Sequence, residues 1–289
     1  MSIPGLNLFE LREGETLIER FRIDKALAHG PLSARFEVTE LETDEPLALE
    51  VFMSGLFEGH GQAAFFADRV RAFGKIQSPL ALATRRIDVT EAGDVLRFCE
   101  KAEVNDLRSR LASDGPMTRA QALHMGTSLL EGAGAWHASG FAHGDIKPSN
   151  LYVSDDTVRA SEGGVTVALW RAQHMGARTS LIGTPFYAPL EQFSGEVPGP
   201  GSDLYAIGTV LYEALCGALP WAGKGFIEVF QSKMEDNPPP IESRAPNLRV
   251  GEALEEVIRK SIRARRDERF QDAAEFLEAL TQAGSKTPS

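Results

Sequence analysis

His143-Gly144-Asp145-Ile146-Lys147-Pro148-Ser149-Asn150 places a carboxylate, an ammonium group and a carboxamide within eight residues. A carboxylate held beside a hydroxyl can accept its proton. A carboxamide oxygen is a hard donor suited to magnesium. Other chemistries find less support. Cys99 and Cys216, the two cysteines, make neither a disulfide framework nor a metal-ligand spacing. The six histidines include no H-E-x-x-H pattern.

The elements that must position this loop follow from periodicity and turn residues. Phe21 to Phe52 reads as three strands, with a turn at His29-Gly30-Pro31. Gln62 to Ile76 has helical spacing, and Val95 to Cys99 is a further strand. Asn105 to Leu111 reads as a short helix. Thr118 and Gln121 form a capping box that opens a helix ending at Gly140. Leu151-Tyr152-Val153 and Val165-Thr166-Val167-Ala168 flank Glu162-Gly163-Gly164, a hairpin pattern. Ser202 to Cys216 is apolar on most faces, as a buried helix would be. Glu255 to Ile262 and Asp272 to Leu280 are amphipathic. Val197 to Gly201 and Asn237 to Asn247 read as Pro-rich loops, and Ala283 to Ser289 as a tail or linker.

Strands first and helices after, with the H-x-D-x-K-x-x-N loop between them, resemble the protein kinase fold over roughly Phe21 to Leu280. The resemblance is to bacterial Ser/Thr kinases of eukaryotic type. Gly183 to Gln192 resembles the end of their activation segment, Ser202 to Gly208 the start of their central helix, and Arg269-Phe270 their late Arg. The resemblance implies an α+β, two-lobed fold. Residues 1–102 would be a β-rich N-lobe with an N-terminal extension, and 103–282 a helical C-lobe. It implies that Asp145 is the family's base and Asn150 its magnesium ligand, with Lys147 beside them. It also implies that Asp203 accepts hydrogen bonds from the catalytic-loop backbone, and that Glu191 and Arg269 form an ion pair.

Against this family pattern, the phosphate-handling positions are altered. The Gly-rich loop positions are Ala28, Gly30 and Ser33, so one glycine of three remains. Side chains obstruct the close backbone approach that phosphates need, and Pro31 has no N–H to offer. Arg35 falls where a small apolar residue packs on adenine. The Lys of the third strand is Glu50, a charge reversal. At about 4 Å and an effective dielectric near 20 it converts roughly 4 kcal/mol of attraction for phosphate into repulsion. Its helix partner falls on Arg69, so a swapped Glu50–Arg69 pair is expected. Gly144 replaces the Arg of H-R-D, which in many kinases reads a phosphorylated activation segment. The D-F-G position is expected at Leu169-Trp170-Arg171, where leucine cannot ligate magnesium. Thr179, Ser180 and Thr184 are candidate phosphorylation sites. Cys99 stands at the gatekeeper position and reads as a small buried hydrophobe.

A formal net charge of −11 disfavours nucleic-acid or anionic-membrane binding. No apolar run reaches the roughly 18 residues of a membrane span. Met1 to Glu10 lacks the pattern of a signal peptide, so a cytoplasmic location is expected. The expected function is that of a pseudokinase: catalytically inactive, with no cofactor and no metal. It would bind a protein partner as scaffold or regulator, the partner being an active kinase or a signalling enzyme, and its N-lobe could mediate a dimer. The alternatives are an atypical nucleotide-dependent transferase, with Arg35 in place of the lost Lys, and an ATP-sensing module.

Overall fold

The computed structural model describes residues 6, 11–29, 32–172, 185–221, 223, 225–235, 238–246 and 248–286. In chain order the elements are β1 (Thr16–Leu17), β2 (Phe21–His29), β3 (Ala34–Glu40), β4 (Pro46–Phe52), α1 (His60–Phe73), β5 (Thr84–Val89) and β6 (Val95–Glu100). Then come α2 (Leu107–Asp114), α3 (Arg119–Ala138), β7 (Leu151–Val153), β8 (Val158–Ala160), α4 (Val165–Ala172), α5 (Leu190–Phe193) and α6 (Pro200–Cys216). The last are α7 (Phe226–Met234), α8 (Ile241–Arg244), α9 (Glu252–Ser261) and α10 (Ala273–Ser285). Two compact units result. One holds the described residues of 1–75, 82–103 and 168–174, the other those of 76–81, 104–167 and 175–289.

The first unit is built on a six-stranded sheet in the order β1-β2-β3-β4-β6-β5, antiparallel throughout. Alternation sends Phe21, Ile23, Phe36, Val38, Leu47, Leu49, Val51 and Phe98 to one face as its core. Leu6, Leu11, Ile18 and Met53 pack against them. On the other face Phe52 meets Phe66 of α1, ring centroids 4.9 Å apart. Glu50 shares that second face, two residues before Phe52.

The second unit is helical. α6 is buried nearly all round, which fits its apolar composition. Two glycines allow its neighbours to approach. A Cβ on Gly126 of α3 would lie 2.9 Å from Leu280 and 3.0 Å from Leu211, and one on Gly208 of α6 would strike Ser261 of α9. The capping box forms as expected: Gln121 N–H donates to the Thr118 hydroxyl (3.3 Å) and Thr118 N–H to Gln121 Oε1 (3.0 Å).

Several expectations change. The hairpin is β7 with β8, Leu151 facing Ala160 and Val153 facing Val158. Its turn is the polar run Ser154-Asp155-Asp156-Thr157, closed by Thr157 N–H donating to Ser154 Oγ at 3.1 Å. Val165 to Ala168, expected as its second strand, begins α4 instead. Its Val-Thr-Val run favours a strand locally, but all four residues are buried and tertiary burial overrides that weak preference. Pro200 and Gly201 belong to the first turn of α6, where a proline loses no hydrogen bond. The 237–247 loop contains α8, and α10 continues through Ser285 into the expected tail. The Arg119 guanidinium satisfies the carbonyls at the end of α10, donating to Ala283 (2.8 Å) and Gly284 (3.1 Å).

Candidate functional site

Asp203, in the first turn of α6 and 1% exposed, holds the His143–Asn150 loop from beneath. Its carboxylate accepts from His143 N–H and Gly144 N–H, both at 2.8 Å, and contacts His137 Nε2 at 3.0 Å. Asp145 N–H donates to His143 Nδ1 (3.2 Å), so Nε2 carries the proton and donates to the Ser161 carbonyl (2.8 Å). One imidazole thereby ties the loop to the residue that follows β8. Within the loop, Lys147 Nζ lies 2.6 Å from Asp145 Oδ2. Asn150 Nδ2 donates to the Asp145 carbonyl (2.9 Å) and to Asp145 Oδ2 (3.0 Å). The sequence-expected trio is brought together in a buried or half-buried cluster.

The loop glycine has a local cause. Gly144 sits at φ +81, and a Cβ there would lie 2.5 Å from Val167 of α4. An arginine at this position would need both a strained backbone and displacement of Val167.

The D-F-G assignment is corrected. The second hairpin strand ends at Ala160, so the residues that follow it are Ser161-Glu162-Gly163-Gly164, not Leu169-Trp170-Arg171. Leu169 and Trp170 lie on α4, each 1% exposed, as apolar core side chains. A carboxylate therefore does follow the hairpin. Glu162 is buried, with φ +63, and Ser161 N–H donates to the Asn150 carbonyl at 2.9 Å. Asn150 Oδ1 is buried without a hydrogen bond. Asn150 Oδ1 is an orphaned amide oxygen and Glu162 a carboxylate, both of the hard-oxygen donor type that magnesium takes.

The Glu50–Arg69 swap is also corrected. Register places Arg35 opposite Glu50 on β3 and Arg97 opposite it on β6. Cross-strand neighbours stand closest, and they take the carboxylate. Glu50 Oε2 accepts from Arg97 Nη1 at 3.3 Å, and Oε1 accepts from Ser33 Oγ at 2.9 Å with Arg35 Nε at 3.6 Å. Glu50 and Arg97 are 6% and 5% exposed, so this is an interior charge cluster. Arg69, on α1, makes no ion pair with Glu50. Ser33, expected at a Gly-rich loop position, is one of the groups that holds Glu50. Ala28 pairs in the sheet with Arg35, and Gly30 lies outside the described residues. Cys99 is buried on β6, and burial pushes its thiol pKa up, as for an inert small hydrophobe.

Glu191 and Arg269 form the expected pair, doubly: Arg269 Nη1 to Oε1 at 2.8 Å and Nη2 to Oε2 at 3.0 Å. Arg269, 3% exposed, also donates to the carbonyls of Arg263 and Ala264, both at 2.7 Å. Burial alone would raise the Glu191 pKa. The Arg269 hydrogen bonds and charge outweigh it and hold the carboxyl below its ordinary range.

Sequence reasoning missed Lys233. It lies 1% exposed on α7 and donates to the carbonyls of Pro185 and Phe186, both at 3.0 Å, and to that of Ala188. Its ammonium sits over the Tyr205 ring, 4.9 Å from the centroid. Burial, then the nearby Arg269 charge, pulls its pKa well below the ordinary lysine value. No sequence signal separates it from a solvated helix lysine. Thr179, Ser180 and Thr184 lie outside the described residues.

The family model described as the protein kinase domain matches residues 83–281. The Ser/Thr kinase pkn3 of Myxococcus xanthus is 25% identical over 257 residues, covering 86% of this chain and 47% of its own. PknB of Mycobacterium leprae is 25% identical over 279 residues, covering 94% and 44%. The chain thus spans about half the length of these curated relatives. Among solved structures, the PknI kinase domain of Mycobacterium tuberculosis superposes with a TM-score of 0.71 at 16% identity, over 94% of this chain and 98% of that one. The loop held by Asp203, the Glu191–Arg269 pair and a β-rich unit followed by a helical one agree with these matches: the chain belongs to the protein kinase family, and its relatives are bacterial Ser/Thr kinases.

Proposed function

We propose that this protein transfers no phosphoryl group and acts by binding a protein partner, an active kinase or another signalling enzyme, as scaffold or regulator. One observation carries the reading. At the position where the family places a phosphate-binding lysine stands Glu50, held by Ser33, Arg35 and Arg97. Both carboxylate oxygens are engaged, so the anion is a fixed part of the sheet and opposes a polyphosphate. Gly144 supports the reading, because no arginine can stand there to read a phosphorylated segment without strain. The relatives are named as kinases, so the reading rests on this chain's own residues. A cytoplasmic site of action belongs to the same proposal. Among the described residues no helix is long and apolar enough to cross a membrane. A thermal-shift titration with ATP, with and without magnesium, tests it. No rise in melting temperature at millimolar ATP is expected, and a clear magnesium-dependent rise would refute it.

A second reading is favoured by Glu162 and Asn150. Here the protein binds a nucleotide with magnesium as a sensor or slow transferase. Asn150 Oδ1 and Glu162 would hold the metal, which would neutralise phosphate charge, and Asp145 would face the hydroxyl. Loss of a magnesium-dependent shift in Glu162→Gln would support it.

A further inference from the structure

The first strand is tied to the rest of the sheet through a strained turn. β1 and β2 form a hairpin with Thr16 opposite Arg22 and Leu17 opposite Phe21. Ile18, Glu19 and Arg20 connect them, and Arg20 N–H closes the turn by donating to the Leu17 carbonyl at 3.1 Å. Ile18 stands at φ +47 and Glu19 at φ +56. Two consecutive left-handed residues suit an Asn-Gly pair, which bears that conformation at little cost. A β-branched isoleucine there is an outlier, because its Cβ crowds the backbone. With no glycine at either position, the closed turn stores strain.

The arm that this turn holds down is nonetheless well seated. Leu17 is 5% exposed and belongs to the apolar core of the first unit, and Leu11 packs against that core. Gly14 N–H donates to the Ile23 carbonyl (2.7 Å), and Ile23 N–H to the Glu15 carbonyl (2.8 Å). Further out, Leu6 N–H donates to Oδ2 of Asp94 at 2.9 Å, a carboxylate 1% exposed. Arm and sheet are complementary, and only the link between them is unfavourable. Strain in a short hinge is relieved when the arm seats on another copy, because each arm–sheet contact is kept and only the turn opens. We propose that residues 11–17 exchange between two copies of this chain, the turn at Ile18 to Arg20 straightening so that β1 of each copy pairs with β2 of the other. The interaction surface is the β2 edge with the apolar face beside it, and its occupant is the second copy's arm. An N-lobe dimer of this kind needs no surface beyond the one each copy already covers. Each copy carries a formal charge of −11, which opposes the pairing, so exchange is favoured by high protein concentration and by salt.

The test uses the full chain without nucleotide. Thr16→Cys with Arg22→Cys places a cysteine pair across β1 and β2 at exposed positions, and the native Cys99 and Cys216 are buried. Concentrated protein in salt is fractionated by size, and the dimer is oxidised and run on a denaturing gel without reductant. Covalent dimers are expected, since the two cysteines that meet lie on different chains. A dimer that runs as oxidised monomers has kept its arms and would overturn the proposal. So would a wild-type chain that stays monomeric in sedimentation at its highest soluble concentration. Two hinge variants then test the cause. Ile18→Asn with Glu19→Gly supplies residues suited to the closed turn, and should weaken dimerisation at least about tenfold, a loss of roughly 1.4 kcal/mol. Glu19→Pro cannot adopt a positive φ, and should strengthen dimerisation. Should the proline variant not fold, the Asn-Gly variant alone decides, and dimerisation equal to wild type in that variant would overturn the proposal. The arm lies apart from the catalytic loop, so neither result bears on the no-transfer reading.

Discussion

Arg97 Nη1 stands 3.3 Å from Glu50 Oε2, and the two residues face each other directly across β6 and β4. With Arg35 on the other side of Glu50, two cations share one interior carboxylate. Replacing Glu50 by lysine would set a third cation between them. Glu50→Lys is expected to destabilise the fold by about 3–5 kcal/mol, as loss of a buried pair does. A double-mutant cycle in urea checks the assignment. Coupling of Glu50 with Arg97 should reach about 0.5–3 kcal/mol, and coupling of Glu50 with Arg69 should stay below about 0.5 kcal/mol.

The Glu191–Arg269 pair should behave as a buried anchor. Arg269→Ala would leave Glu191 without its bidentate partner and free two backbone carbonyls, at a cost of about 3–5 kcal/mol. Arg269→Lys should recover little, since an ammonium cannot reproduce the fork. Glu191 also has a pH signature. Its folded pKa lies below the unfolded one, so as pH falls the unfolded chain takes up the proton first. Its contribution is complete above about pH 4.3 and shrinks below it. Denaturation midpoints from pH 7 to 3 should fall more steeply for wild type than for Glu191→Gln. Parallel curves would refute the pair's role.

How much of this was legible in the sequence depends on how local the information is. The Thr118–Gln121 box is a short pattern whose spacing nearly dictates its geometry, whereas the support of the catalytic loop by Asp203, 60 residues from His143, was legible only through family resemblance. Glu191 and Arg269, 78 residues apart, were legible only through family resemblance. Arg97 was not legible as the partner of Glu50, because that required the register of β6 against β4. The Val165–Ala168 run misled because its β-branched residues favour a strand while its surroundings bury it as a helix. That error moved the D-F-G position to Leu169 and hid Glu162.

Lys233 offers a test of a residue that no motif marks. Lys233→Met keeps the length of the side chain and removes the donors to Pro185, Phe186 and Ala188. Stranding those carbonyls should cost about 2–4 kcal/mol. Hydrogen exchange should report faster exchange in the 186–193 backbone than elsewhere in the helical unit. A uniform change across that unit would instead indicate plain loss of packing.

Gly144 should resist restoration of the family's arginine. At φ +81, with Val167 where a Cβ would go, Gly144→Arg is expected to cost about 1–3 kcal/mol. Gly144→Ala should account for most of that loss, since backbone and Cβ cause it. A neutral Gly144→Ala in thermal denaturation would show that the glycine is not required there.

In this chain an intact catalytic loop should coexist with absent phosphoryl transfer. Incubation of purified wild-type chain and Asp145→Ala with radiolabelled ATP, magnesium and a generic Ser/Thr substrate tests it most directly. No incorporation above background is expected into protein or substrate for either. Labelling by wild type that Asp145→Ala abolishes, with its fold intact, would contradict it and establish the magnesium-dependent transferase reading built on Asn150 and Glu162.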